Sequence, residues 1–510
     1  AGRCGRIGGM VDPSRYNLVR LRVWRVLCGV AGGGAVAVLA VIEAPVWSIV
    51  VAAVGAVALL VLFSRWVTVA KELESIDDLR IAKEPVFDRP TVNARRREMA
   101  AALDAEPLDD QTVADIDTPL LHRRANACLS LVGEETFYAM LSSVPTAATR
   151  ERRAAAMDII EDDEAVRLWL LRQLHLLGRE RPRSAVEMLF GSLPPRDNRL
   201  PFYIIQSSAT GVLLLLLILG ATWTLVPLAL MASVNIFLYM GANRLVNIQV
   251  SRFAHLFEVL SAAKRLRQVP AFDVLSSGIA DHADRRTAAV ARLARFLSIQ
   301  PTGSGDILEL LLQWPKVLFL LDALVYDRLL TLVERRRDSL RAAYTFVGTL
   351  DGLQALVWYR KGLLQSCRAD VAGRGIEADG LYNPLLEKPV ANSLAVSSPG
   401  LILTGANMAG KSTLLRAVVL NVVLALGFGF ACATRFSTAE FRVFTLIRKA
   451  DSLERGESFY FFEAERIHTM LEHTADERPL LLAVDEFFAG TNSVERVAAA
   501  TAVLSFLARH

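Results

Sequence analysis

Charge is all but absent from two long stretches of the chain, and their length sets the first expectation. Residues 26–64 contain one charged side chain, Glu43, which with nearby Pro45 divides them into apolar runs of 17 and 19 residues. Residues 203–242 hold no charged side chain over 40 positions and are interrupted near Gly220 and Thr224. About 20 apolar residues in a helix cross about 30 Å of hydrocarbon, so each stretch predicts two membrane-spanning helices joined as a hairpin. Soluble helices rarely stay free of charge for so long.

Elsewhere the apolar positions recur at helical spacing, as at Leu129, Val132, Thr136 and Met140, and again at Ile159, Val166, Leu170 and Leu174. Residues 310–325 are apolar, but Pro315, Lys316 and Asp322 interrupt them, which predicts a core segment rather than a fifth span. The charged cluster at 334–338 predicts the solvated face of a long helix. From Ala369 onward the texture changes to short apolar runs separated by turns, the pattern of an α/β domain.

Composition agrees with a chain partly in lipid: 53% of its 510 residues are hydrophobic. Arginines set the orientation. Arg3, Arg6, Arg15, Arg20, Arg22 and Arg25 precede the first hairpin, Arg65 and Lys71 follow it, and Arg196, Arg199 and Arg244 flank the second. The turns inside both hairpins carry no Lys or Arg, so both are expected to enter and leave from the cytoplasm, in a multi-pass protein of the cell membrane. The five cysteines are isolated and suggest neither a disulfide framework nor a zinc site. A net charge of +4 gives no support for nucleic acid as a partner.

The chemistry is concentrated near the C-terminus. Gly405, Ala406, Asn407, Met408, Ala409, Gly410, Lys411, Ser412 and Thr413 fit the phosphate-cradling loop of nucleotide-triphosphate proteins. The loop is preceded by an apolar run at 401–404, read as a strand, and followed by another at 414–426, read as a helix. Backbone N–H groups at a helix N-terminus would face phosphate, Lys411 would supply charge to the β/γ oxygens of ATP, and Ser412 a hydroxyl to Mg²⁺. A second apolar run, 480–484, ends in Asp485 and Glu486. That pattern predicts a buried strand delivering one carboxylate to Mg²⁺ and a second that orients the attacking water.

Between these elements lie Asp451, Leu453, Gly456, Ser458, Tyr460 and Glu463, and with them the chain resembles the MutS family of ATPases. The loop with Asn407 and Met408 inside it, the run from Gly380 to Leu385 with Asn392 ahead of the loop, and the run from Gly490 to Arg496 after the carboxylate pair are similar to the family's in order and type. The resemblance implies a homodimer with composite ATP sites, in which the partner's Ser458 reaches the γ-phosphate, Asp451 and Arg448 support that segment, and Asn392 lies near the nucleotide. Glu486, Lys411 and Ser458 are then the catalytic residues. Three departures stand out: Ala406 and Ala409 replace the usual Pro and Gly, Asn383 replaces a usual His, and no mismatch-reading domain or DNA clamp is visible.

The expected organisation is a basic segment at 1–25, a first hairpin at 26–64, helical core at 65–202, a second hairpin at 203–242, further core and lever at 243–368, and an ATPase domain at 369–510 that ends inside an apparent helix. The fold class is therefore an α-helical core/lever domain with two transmembrane helical hairpins, followed by an α/β P-loop ATPase domain of the ABC type. The leading expectation is a membrane-anchored, Mg²⁺-dependent ATP hydrolase that switches conformation as a dimer and acts on DNA or an unidentified protein partner. The alternatives are an ATP-driven transporter, against which the lack of charge in the spans argues, and a mismatch-repair protein, against which the missing reading domain argues.

Overall fold

The computed structural model describes residues 84–179, 184–196, 198–275, 314–397, 400–406, 409–447, 459–475 and 478–509. Contacts divide the chain into Ala1–Ile81 and Ala82–His510, and the described residues all belong to the second unit. The basic N-terminal segment and the first hairpin lie outside the described residues, as do Asn407, Met408, Arg448, Asp451 and Ser458.

The unit opens with α1 (Arg89–Ala94), α2 (Arg96–Ala102), the strand β1 (Ala105–Pro107), α3 (Asp110–Asp115), α4 (Thr118–Ala125) and α5 (Leu131–Leu141). Strand β2 (Ser143–Pro145) returns antiparallel to β1. Then come α6 (Ala147–Asp162), α7 (Glu164–His175) and α8 (Val186–Phe190). The apolar positions from Ile159 to Leu174 fall on two helices rather than one, because Asp163 stops α6 and its carboxylate accepts the Val166 N–H (3.0 Å) to cap α7.

Two helices follow that are long and apolar enough to cross a membrane, α9 (Leu200–Ile218) and the first part of α10 (Leu225–Leu266). Gly220, at φ 96°, lets the chain turn between them, and a short 3₁₀ turn at Thr222–Thr224 completes the break. Helix α10 runs on past residue 242 without interruption. The helical region closes with α11 (Pro270–Asp273), α12 (Leu321–Arg335) and α13 (Arg337–Lys361). The charged cluster at 334–338 is not the face of one helix: Arg336 breaks α12 from α13. Arg337 instead donates to the carbonyls of Leu189 (2.8 Å) and Gly191, which holds α8 against the break.

The helical core is centred on α5, buried along its whole length, and on α13, which is buried from Tyr344 to Val357. A side chain at Gly348 would collide with Thr136 and the Val132 carbonyl, so this glycine permits the close approach of the two helices. Asp351, fully buried on α13, accepts the N–H groups of Leu129 (3.0 Å) and Ser130 (2.8 Å) and the Ser130 hydroxyl (2.6 Å), which fixes the start of α5.

The remaining α-helices and strands among the described residues are β3 (Cys367–Arg368), β4 (Ile376–Leu381), β5 (Asn392–Val396), α14 (Lys411–Phe428), β6 (Phe430–Ala431), β7 (Arg435–Thr438), β8 (Arg442–Leu446), α15 (Phe459–Glu472), β9 (Leu480–Val484) and α16 (Ser493–Leu507). Strands β5, β4 and β7 form an antiparallel sheet in that order, while β8 and β9 pair in parallel. The expected strand at 401–404 is not formed. Those residues belong to no ladder among the described residues, and Ile402 is 75% exposed. An apolar run becomes a strand only when a neighbouring backbone satisfies its N–H and C=O groups, which periodicity alone does not report.

Candidate nucleotide site

The glycine-rich loop leads straight into α14. Gly410 sits at the N-cap with φ 88°, a backbone region that side-chain-bearing residues rarely adopt, and its carbonyl accepts the Leu414 N–H (2.9 Å) to start the helix. Lys411 folds back over the loop, its ammonium donating to the carbonyls of Gly405 (2.8 Å) and Ala406 (2.9 Å). Gly405, Ala406, Ala409 and Gly410 thus form the described part of the loop, with Thr413 exposed on the first turn of α14.

Helix α14 is itself long and apolar enough to cross a membrane, yet 67% of its apolar window is buried in the protein, so it is a core helix. Asn421 anchors it. Its side-chain amide donates to the carbonyls of Tyr382 (3.0 Å) and Ala417 (2.8 Å) and accepts the Cys432 N–H (2.6 Å). One buried amide therefore ties the loop helix to the end of β4 and to the chain after β6. The only cue in the sequence was a lone amide in the apolar run from Ala417 to Leu426. Burial also pushes the neighbouring Cys432 thiol up to about 12, which marks it as an inert packing residue.

The second half of the site comes from β9. Its register places Val484 opposite Leu446 of β8, and the next residue, Asp485, donates its N–H to the Leu446 carbonyl (2.9 Å). This projects the Asp485 carboxylate onto the hydroxyl of Ser412, which donates to it. Glu486 follows in the left-handed region (φ 61°), as does Phe488 (φ 50°). Such conformations cost on the order of 1–2 kcal/mol each and persist only where packing enforces them. Here Phe488 is held in an apolar cluster with Phe444, Leu446, Ile467 and Met470, and the buried Glu463 carboxylate accepts the Gly490 N–H (3.3 Å). The turn is thus braced by α15, the helix that follows the segment containing Ser458.

The other expected residues occupy supporting places. Asn492 caps α16 by accepting the N–H groups of Val494 (3.1 Å) and Glu495 (3.0 Å). Asn383 closes a turn by accepting the Leu385 N–H (2.9 Å). Asn392 lies exposed on β5, its amide donating to the Val390 carbonyl (3.0 Å), and no described contact joins it to the loop.

Ser412 and Asp485 suit Mg²⁺, a hard cation that is commonly held by one or two protein oxygens together with phosphate and water. No group of three or more His, Cys, Asp or Glu side chains suited to a metal exists among the described residues.

An apolar helix opened by a glycine-bounded loop, facing the carboxylate end of an apolar strand, defines an α/β domain with a phosphate-loop motif. Residues 401–510 match the family model of MutS domain V, and this part of the chain is similar to proteins of the MutS family. It is 32% identical over 190 residues to the DNA mismatch repair protein MutS of Natronomonas pharaonis, covering 36% of this chain and 21% of that protein. It is 34% identical over 203 residues to the DNA mismatch repair protein MutS of Thermus thermophilus (37% and 24%), and 35% identical over 135 residues to the human MutS protein homolog 4 (25% and 14%). The chain thus spans about a quarter or less of the curated relatives it matches.

Proposed function

We propose that the protein is a membrane-anchored ATP hydrolase of the MutS type, working as a homodimer at the cytoplasmic face of the cell membrane. The observation that carries the catalytic half is the contact of Ser412 with Asp485 beside the glycine-rich loop of a MutS domain V. In this reading Lys411 leaves the loop carbonyls for the β/γ-phosphates, Ser412 and Asp485 hold Mg²⁺, and Glu486 orients water for in-line attack. Mg²⁺, when bound, neutralises charge developing on the phosphate oxygens. Asn392 lies near the nucleotide and the partner's Ser458 completes the site, so that ATP binding draws the two subunits together and hydrolysis releases them.

The membrane half rests on an inverted burial pattern. Along α9 and the first part of α10, large apolar side chains such as Ile205, Val212, Ile218, Val226, Leu230 and Phe237 are exposed, while polar Gln206, Thr210 and Asn235 are buried between helices. Only 17% and 11% of the two apolar windows are buried within the protein. The Asn235 amide donates to the Thr210 hydroxyl (3.1 Å) and the Leu318 carbonyl (2.7 Å). Apolar outside and polar inside is the arrangement a lipid solvent selects.

Flotation of the full chain with liposomes, followed by ATP hydrolysis in the floated fraction, tests both halves. Protein that stays at the bottom of the gradient contradicts the anchor, and floated protein without Mg²⁺-dependent hydrolysis contradicts the enzyme. A second reading, recognition of mispaired DNA, is favoured by the names of the relatives. It requires tighter binding to mispaired than to paired duplex at one stated salt concentration, and equal binding removes it.

A further inference from the structure

The nucleotide site is tied to the helical region through one buried carboxylate. Asp115, at the C-terminal end of α3, is fully buried and lies 330 positions before its main partner in the chain. One of its oxygens accepts both the Thr445 hydroxyl (2.6 Å) and the Ile447 N–H (2.9 Å), while the other accepts the Gln111 amide (3.0 Å). Thr445 and Ile447 flank Leu446, and it is the Leu446 carbonyl that receives the Asp485 N–H. Asp115 therefore grips β8 on either side of the residue from which Asp485 hangs, and the Asp485 carboxylate in turn meets Ser412.

Neighbouring contacts strengthen the same junction. Thr112 accepts the Thr445 N–H (3.2 Å), and Arg466 of α15 bridges Asp109 (2.6 Å) to the Thr445 carbonyl (3.3 Å). Glu106 takes Arg478 (2.8 Å) and Arg442 from the ends of β9 and β8. Arginine–carboxylate pairs at a partly open surface contribute little to stability individually. The Asp115 grip differs because it is dry, so its donors have no water to turn to.

We propose that Asp115 is a positioning residue of the nucleotide site: by holding Thr445 and Ile447 it sets the height of β8 and β9 and so the placement of the Asp485 carboxylate against Ser412. The inference deepens the proposed hydrolysis at this loop and rests on it. It assigns to α3, an element of the helical region, control over the metal-holding pair without any contact with nucleotide. Displacement of α3 shifts Asp485 and weakens the hold on Mg²⁺ before it affects the loop's grip on phosphate.

The test uses the full chain in detergent or lipid and compares Asp115→Ala, Asp115→Asn and Thr445→Val with the parent. Two quantities are read: the Mg²⁺ concentration giving half-maximal hydrolysis, and the affinity for a fluorescent ADP without Mg²⁺. Loss of a residue supporting a metal ligand typically costs 10–100-fold, so Asp115→Ala is expected to raise the half-maximal Mg²⁺ about tenfold and leave Mg²⁺-free ADP affinity within about twofold. Asp115→Asn keeps an acceptor oxygen for Thr445 and Ile447 and is expected to stay within about threefold of the parent. Thr445→Val removes one donor alone, gives an intermediate shift, and serves if Asp115→Ala does not fold. Unchanged Mg²⁺ dependence in folded Asp115→Ala or in Thr445→Val overturns the proposal. So does a parallel loss of Mg²⁺-free ADP affinity. A parent protein whose hydrolysis is absent, or insensitive to Lys411→Ala, overturns the hydrolase reading instead.

Discussion

The Ser412 hydroxyl and the Asp485 carboxylate are in direct contact although 73 positions separate them in the chain. Helix α14 delivers the first and strand β9 the second, and each is fixed by a separate hydrogen-bond network. If the pair holds Mg²⁺, Ser412→Ala and Asp485→Asn are expected to lower ATP turnover about a hundredfold or more while the protein stays folded. Steady-state phosphate release with a melting curve for each variant checks this.

Asn421 carries a different kind of load. Its replacement by Leu leaves the Cys432 N–H and the Tyr382 carbonyl buried without their partner, at about 1–3 kcal/mol each. Chemical unfolding of Asn421→Leu is expected to show a loss of about 3 kcal/mol. A loss below about 0.5 kcal/mol, the usual range for surface changes, contradicts the anchoring role.

Much of this site was legible in the sequence and some of it was not. The loop, the helix after it and the strand leading to Asp485 announced themselves because spacing and residue type encode them locally, although that strand is half-buried rather than buried. The break near Gly220 was legible for the same reason. The run 401–404 misled, since its apolar pattern speaks of burial and not of pairing. Asp115 and Thr112 were invisible because their meaning lies in Thr445 and Ile447, at least 330 positions away. Lys316 and Asp322 read as interruptions of a core segment, yet both are buried, and Tyr239 of α10 donates to Asp322 (3.3 Å). A lack of charge within the spans therefore tells less against transport, because Lys316 and Asp322 lie buried beside them.

His122 makes the helical core sensitive to acid. Packed against Phe87, Phe137 and Tyr138, with Nε2 3.1 Å from the Glu134 carbonyl, it is driven down to about 3 chiefly by burial. The unfolded state binds its proton near pH 6.5 and the folded state does not, so stability is full above that pH and falls as pH drops towards 3. The slope approaches about 1.4 kcal/mol per pH unit. The difference in unfolding free energy between parent and His122→Phe, followed from pH 7 to pH 4, should change by that slope. A pH-independent difference contradicts it.

The exposed apolar faces of α9 and α10 make a prediction in lipid. Arginine in the middle of a spanning helix costs about 2.5–3.5 kcal/mol, so Val212→Arg combined with Leu230→Arg is expected to reduce membrane insertion sharply. Asn235→Leu should leave insertion intact and lower thermal stability, because the Leu318 carbonyl loses its donor. Carbonate extraction of membranes expressing each variant distinguishes them, and equal retention of the double arginine variant contradicts the lipid-facing assignment.

The most direct measurement is ATP hydrolysis by the full-length protein in lipid nanodiscs, parent against Glu486→Gln, at saturating Mg²⁺. Mg²⁺-dependent turnover by the parent is expected, with near-complete loss in the variant and ATP binding retained. A parent that binds no nucleotide, or a variant that hydrolyses ATP at the parent's rate, contradicts the proposed hydrolysis.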